Sequence, residues 1–230
     1  MAYKHLFFDL DHTLWDFERN SNETLAELYD EFHLAARGLQ SLPDFQRVFC
    51  AANLDLWRLY DTNQISQTEL RHSRFRRVFS ALGVQTHDCC DPLNEAYLSR
   101  CPQKSHLIEY ARELLDYLAP RYQLHIITNG FDEVQTVKMN KAGLLPYFYH
   151  VTTSQNSGAK KPDPRIFNHA LHRAGAGTRE SLMIGDNCET DIAGGRAAGL
   201  DTVFYNPARV STTEQPTYTI HHLRDLVKIL

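Results

Sequence analysis

Two aspartates one residue apart, Asp9 and Asp11, close the apolar run of FFDLDHTLWD (7–16). In an extended chain, residues two apart share a face, and like charges that close cost free energy unless something offsets them. Other apolar runs also end in polar groups: LHIITNG (124–130) in Thr128 and Asn129, and SLMIGDN (181–187) in Asp186, with Asp191 shortly after. Lys161 lies in a loop between Ser154 and a helical stretch that begins near Asp163.

Four acids in one cleft repel each other, and a divalent cation relieves that repulsion. Magnesium, a hard ion that accepts a few carboxylates, waters and a substrate phosphate, suits a shell of Asp9, Asp186 and the backbone carbonyl of Asp11. Lys161 then supplies fixed positive charge toward the substrate, and Thr128 and Asn129, with nearby backbone N–H groups, supply hydrogen bonds to a phosphate. The set allows phosphoryl transfer. Asp9 attacks phosphorus to form an aspartyl phosphate. Asp11 protonates the departing alcohol and later takes a proton from the attacking water. Asp191 orients Lys161 from behind.

These groups share an edge only if their segments form one sheet. Five apolar, β-favouring runs read as buried strands: 4–11, 124–130, 149–154, 181–187 and 202–207. Helical spacings of three and four fall between them at 107–119, 132–144, 163–175 and 189–200. That alternation predicts an α/β fold, a doubly wound Rossmann-like parallel sheet whose ligands bind beyond the carboxyl ends of the strands.

One interval is too long. A βαβ step needs about 30 residues, so roughly 80 to 90 are surplus between the first two strands. The surplus has helical periodicity, with breaks near Gly38–Pro43, Asn63–Ser66 and Gly83–Pro92, and predicts a bundle of about four helices. The expected domains are a catalytic core, 1–15 with 101–230, and an inserted helical cap, 16–100. Aromatic residues at helical spacing there, Trp57 and Tyr60 among them, read as packing.

Composition narrows the partners. With 230 residues and 43% hydrophobic content the chain can bury a large core, and a net charge of −4 gives no basic field for a nucleic-acid polymer. No apolar run reaches a membrane span, and charges interrupt the N-terminal segment where a signal peptide would be apolar, so a cytoplasmic location is expected. Five cysteines, without zinc-like spacing, read as free thiols. The oligomeric state is left open.

Taken together, DLDHT (9–13), ITNG (127–130), KKPDP (160–164) and GDNCETD (185–191) resemble the four ordered motifs of the haloacid dehalogenase-like superfamily. The long insertion after the first motif is similar to that family's helical cap. The resemblance selects Lys161, directly before proline, over Lys160. Carbon–halogen hydrolases of the family lack the second aspartate, so Asp11 implies phosphoryl transfer. ITNGF (127–131) and the stretch LWRLYDTNQISQTELRHSRF (56–75) look like the noncanonical pyrimidine 5'-nucleotidase branch, implying a small phosphate ester, a nucleoside monophosphate, as substrate. A sugar-phosphate or phosphoglycolate-type phosphatase, and a non-catalytic phosphate-ligand sensor, fit the same residues.

Overall fold

The computed structural model describes residues 3–84 and 88–230. The chain forms two compact units: Met1–Phe17 with Ser105–Leu230, and Glu18–Lys104. The first strand, β1 (His5–Phe8), is followed by four helices, α1 (Phe17–Glu31), α2 (Leu42–Asp61), α3 (Gln67–Ala81) and α4 (Cys90–Arg100). The rest of the chain alternates: α5 (Ala111–Leu118), β2 (Gln123–Thr128), α6 (Asp132–Lys141), β3 (Phe148–Thr153), α7 (Ser154–Ser157), α8 (Pro164–Ala174), β4 (Ser181–Gly185), α9 (Ala193–Ala197), β5 (Asp201–Tyr205) and β6 (Tyr218–Ile220).

The strands form one parallel sheet in the order β3-β2-β1-β4-β5-β6. Its order reverses at β1, which lies between β2 and β4, and this opens a crevice at the carboxyl ends of those strands. β1 and β4 are buried along their whole length, as strands covered on both faces must be. Phe7, Ile127, Ile166, Phe167 and Met183 pack together in one cluster, with α8 supplying two of the five. Asp163 caps α8 by accepting the Arg165 N–H, and Pro164 takes the first helical position, where no N–H is needed.

Three sequence expectations are corrected. The first strand ends at Phe8 rather than at residue 11, because Leu10 O accepts the N–H groups of Leu14 and Trp15 and turns the chain. β6 is an unforeseen sixth strand, only three residues long, whose Tyr218 and Thr219 are exposed; it carries too short an apolar signal to read. The segment expected to be helical over 189–200 begins instead as a π-helical turn, Cys188–Ile192, before α9.

In the helical unit, Ser41 accepts the Asp44 N–H to start α2, and Ser66 and Glu69 form a capping box that starts α3. Phe45 and Phe49 of α2 pack on Phe75 of α3 with ring centres 6.1 and 5.3 Å away, the first stacked and the second tilted. Trp57 and Tyr60 meet edge to face at 5.6 Å. The break expected at Gly83–Pro92 lies partly outside the described residues. Pro92 sits in the first turn of α4, where proline is tolerated.

Candidate functional site

β1 delivers Asp9 to the crevice, and the Asp9 N–H is fixed by Ile184 O of β4 at 2.9 Å. Lys161 reaches it from the loop before α8. Its ammonium donates to Asp9 Oδ1 at 2.5 Å, Asp191 Oδ1 at 2.6 Å and Ile127 O at 3.0 Å, so three acceptors match its three protons. Burial alone would push Lys161 toward neutrality, but Asp191 and Asp9 outweigh it and raise its pKa. The lysine is therefore a fixed cation.

The loop that carries Lys161 is held by Asn129. The Asn129 Oδ1 accepts the Lys161 N–H at 2.7 Å, and its Nδ2 donates to Lys161 O at 2.9 Å. The side chain of Asn129 thus clamps the lysine main chain from both sides of the peptide. Asp191 is anchored in turn by the Asn187 N–H on Oδ2, at 3.0 Å. A Cβ at Gly185 would stand 2.2 Å from that oxygen, so only glycine leaves room for it.

Asp186 receives the Thr13 hydroxyl on Oδ1 at 2.9 Å. Carboxylate oxygens of Asp9, Asp186 and Asp191 lie within 4.8 Å of one another. Burial, reinforced by the neighbouring acids, pushes Asp186 up to about 6 and raises Asp9 well above the usual carboxylate range. If all three ionise, Lys161 neutralises one charge and two remain. That imbalance and an all-oxygen donor set fit a divalent cation such as magnesium.

Asp11 is separate from this group. It follows β1 in the turn, pairing with Trp15 in an isolated bridge, and its neighbour His12 takes a positive φ of 62°. Its Oδ1 accepts from Lys138 Nζ at 2.6 Å and its Oδ2 from Gln135 Nε2 at 2.9 Å. Burial alone would raise the Asp11 pKa, but the Lys138 ammonium outweighs it and holds the carboxyl below its ordinary value. Lys138 is itself buried, with Nζ 4.5 Å from the centre of the Trp15 ring.

Gln135 Nε2 also donates to Thr128 Oγ1 at 2.8 Å, and the Gly130 N–H reaches the same oxygen at 3.1 Å. With two donors on its oxygen, the Thr128 hydroxyl keeps its own proton for a further acceptor. A Cβ at Gly130 would come within 2.2 Å of the Gln135 amide, which explains the glycine of ITNG. Sequence reasoning missed Thr13, Gln135 and Lys138. The last two lie one helical turn apart on α6 and therefore share a face, but that spacing alone does not show that the face is buried.

A six-stranded parallel sheet with an aspartate just beyond its inner strand β1, a buried lysine on that aspartate and further acids beside it is the frame of a Rossmann-like hydrolase. A family description for haloacid dehalogenase-like hydrolases matches residues 3–199. The chain belongs to that family. It is 35% identical to the pyrimidine 5'-nucleotidase PynA of Streptococcus pneumoniae over 100% of this chain and 96% of that protein. It is 32% identical to the pyrimidine 5'-nucleotidase YjjG of Escherichia coli over 100% and 99% of the two chains. Among solved structures, the HAD-hydrolase YfnB of Bacillus subtilis, bound to magnesium, superposes with a TM-score of 0.89 at 28% identity, covering 100% of this chain and 99% of that one.

Proposed function

We propose that this hydrolase is a magnesium-dependent phosphomonoesterase that removes the 5'-phosphate from pyrimidine nucleoside monophosphates. The observation that carries the reading is the division between its two aspartates. Asp9 Oδ1 is held by a buried cation while Asp11 is turned onto separate donors, so one carboxylate is set up to attack and the other to move protons. The nucleotidase names of two full-length relatives support the substrate class.

Asp9 Oδ2 attacks phosphorus as the bond from phosphorus to the ester oxygen breaks, and the leaving alkoxide takes a proton from the Asp11 carboxylic acid. Asp11, now a carboxylate, takes a proton from water. The water oxygen attacks phosphorus, the Asp9–phosphorus bond breaks, and inorganic phosphate leaves. The Lys138 contact favours ionised Asp11, the form needed in the second half, and must slacken for Asp11 to carry a proton in the first. Lys161 and the Thr128 hydroxyl stabilise the transferring phosphoryl oxygens. Asp9 and Asp186, with the Asp11 carbonyl, would hold magnesium, which when bound adds positive charge at those oxygens. Asp191 keeps Lys161 aligned.

Residues 1–15 and 101–230 are assigned the chemistry and the helical insertion the role of a cap. The test is phosphate release from deoxyuridine and thymidine monophosphates, hexose phosphates, phosphoglycolate and an aryl phosphate, with and without magnesium. The reading expects the highest kcat/KM on the nucleotides. A preference for phosphoglycolate would move the substrate class, and binding without turnover would favour a sensor.

A further inference from the structure

The edge of the sheet carries a cavity that the phosphate chemistry does not use. Its volume is about 620 Å³, and its lining comes mainly from α6, β3, α7 and α8, all within the unit that holds Asp9. Asp9, Asp11, Lys161, Asp186 and Asp191 are not part of that lining. The volume lies within the range of about 300–1,000 Å³ usual for small-molecule sites.

One wall is made by an irregularity in β3. This edge strand slips against β2, so that Leu124 faces Phe148 but His125 faces His150, and Tyr149 is the extra residue of a bulge. A bulge re-aims the side chain it carries. The Tyr149 ring is 65% exposed and lies 6.2 Å from the ring of His125. The His150 ring is 5.5 Å from that same ring and nearly parallel to it, at 9°. Tyr149 and His150 thus both present flat groups in one cavity lining. Burial, and then the Arg173 charge, lowers the His150 pKa, so that ring stays neutral at pH 7.

Arg173 of α8 is aimed by the strand. Its Nη1 donates to Val151 O at 2.9 Å, which leaves the edge formed by Nε and Nη2, the fork that takes a phosphate through two parallel bonds. His169, one turn earlier on α8, lines the same cavity. A strand from another chain is a poor occupant, because the edge groups it needs are already bonded. Val151 O also accepts from Asn156 Nδ2 at 3.2 Å, and the Thr153 N–H donates to Asn156 Oδ1 at 3.1 Å. Asp132 in the lining disfavours a bare anion and suits a ligand that also brings hydroxyl donors.

We propose that this cavity is a nucleotide-binding site separate from the catalytic crevice. The phosphate sits on the Arg173 fork, the base lies against Tyr149 and His150, and ribose hydroxyls donate to Asp132. A flat ring, an anion and hydroxyl donors in one small molecule answer the three kinds of group in the lining. The site is independent of what the enzyme hydrolyses.

The experiment follows the histidine ring protons of the full chain by NMR, with His150 and His169 assigned from His150→Gln and His169→Gln. The probe is the phosphonate analogue of uridine monophosphate, in which a carbon–phosphorus bond replaces the ester, so no turnover intervenes. Both resonances should move along one saturable curve. Arg173→Met, at an exposed position and with its fold checked by circular dichroism, should weaken binding about tenfold or more, the worth of a charged hydrogen bond. Uridine and the base-free ribose phosphonate should each bind about tenfold more weakly than the whole probe. Tyr149→Ser should weaken the probe and leave the base-free analogue unchanged. Resonances that stay still, as they would if the probe entered only the catalytic crevice, overturn the proposal. So do an Arg173→Met protein that titrates like wild type, a base-free analogue that binds as tightly as the probe, and equal effects of Tyr149→Ser on both.

Discussion

Lys138 stands 2.6 Å from Asp11, so the second aspartate of the pair has a cation of its own, distinct from the lysine that holds Asp9. Two carboxylates two residues apart are thereby kept in different electrostatic surroundings. Burial, with Asp191 and Asp186 adding to it, raises the Asp9 pKa, and the ammonium beside Asp11 lowers that of its neighbour. Separating the two in this way is how one site keeps a nucleophile and a proton carrier distinct.

Removing that ammonium should show in the pH profile. In Lys138→Met, burial of Asp11 loses its largest opponent, leaving the Gln135 hydrogen bond and His12, and its pKa rises. Because the second half-reaction needs ionised Asp11, the acidic limb of kcat should move to higher pH by about one unit. Stopped assays of phosphate release from pH 4.5 to 8.5 measure the shift, and an unmoved limb would separate Lys138 from proton transfer.

Gly130 and Gln135 should behave as one device. The Cβ of Gly130→Ala displaces the far end of a flexible side chain, so the protein should fold while the Gln135 amide leaves both Thr128 and Asp11. Gly130→Ala and Gln135→Leu should each lower kcat by about tenfold, the cost of one well-placed hydrogen bond, and the double variant should fall little further. Fully multiplicative losses would show that the two act independently.

Lys161→Met should cost stability as well as activity. It leaves Asp9 and Asp191 buried without their shared cation, a change that typically destabilises by about 3–5 kcal/mol. Urea unfolding at pH 7 should show the loss, and it should shrink at acid pH where the carboxylates protonate. A Lys161→Met protein as stable as wild type would mean that the pair is not charged in the fold.

Three imidazoles stack across β1, β2 and β3: His125 lies 5.5 Å from both His5 and His150, ring centre to ring centre. Burial, with His5 and His150 adding to it, pushes His125 down to about 3, so it stays neutral in the fold. The unfolded chain binds that proton near pH 6.5, hence stability is full above this value and falls as pH drops toward the folded pKa, by about 1.4 kcal/mol per unit. Urea midpoints at pH 7 and pH 5 should differ by less in His125→Phe than in wild type. Equal differences would assign the acid sensitivity elsewhere.

Much of this arrangement was legible from motif order. Asp9, Lys161, Asp186 and Asp191 end or follow strands whose apolar runs are plain in the sequence, and a parallel sheet gathers such ends. What sequence could not show depends on tertiary contacts. Lys138 and Gln135 sit on a helix whose polar residues resemble a solvated face, and only the turn after Asp9, made by Leu10 O, brings Asp11 to them. The same turn invalidates the premise that residues two apart in this stretch face alike. The pairing of the Asn129 amide with a main-chain segment 32 residues away is likewise a tertiary contact that its place beside Thr128 does not reveal. β6 has too few residues to carry a period.

The central claim is that Asp9 is the nucleophile. Its most direct test is phosphate release from deoxyuridine monophosphate by Asp9→Asn, with magnesium present and circular dichroism confirming the fold. The account predicts a folded protein with turnover lost by about a thousandfold or more, the scale on which a covalent catalyst fails without its nucleophile. Turnover at the wild-type rate would contradict it.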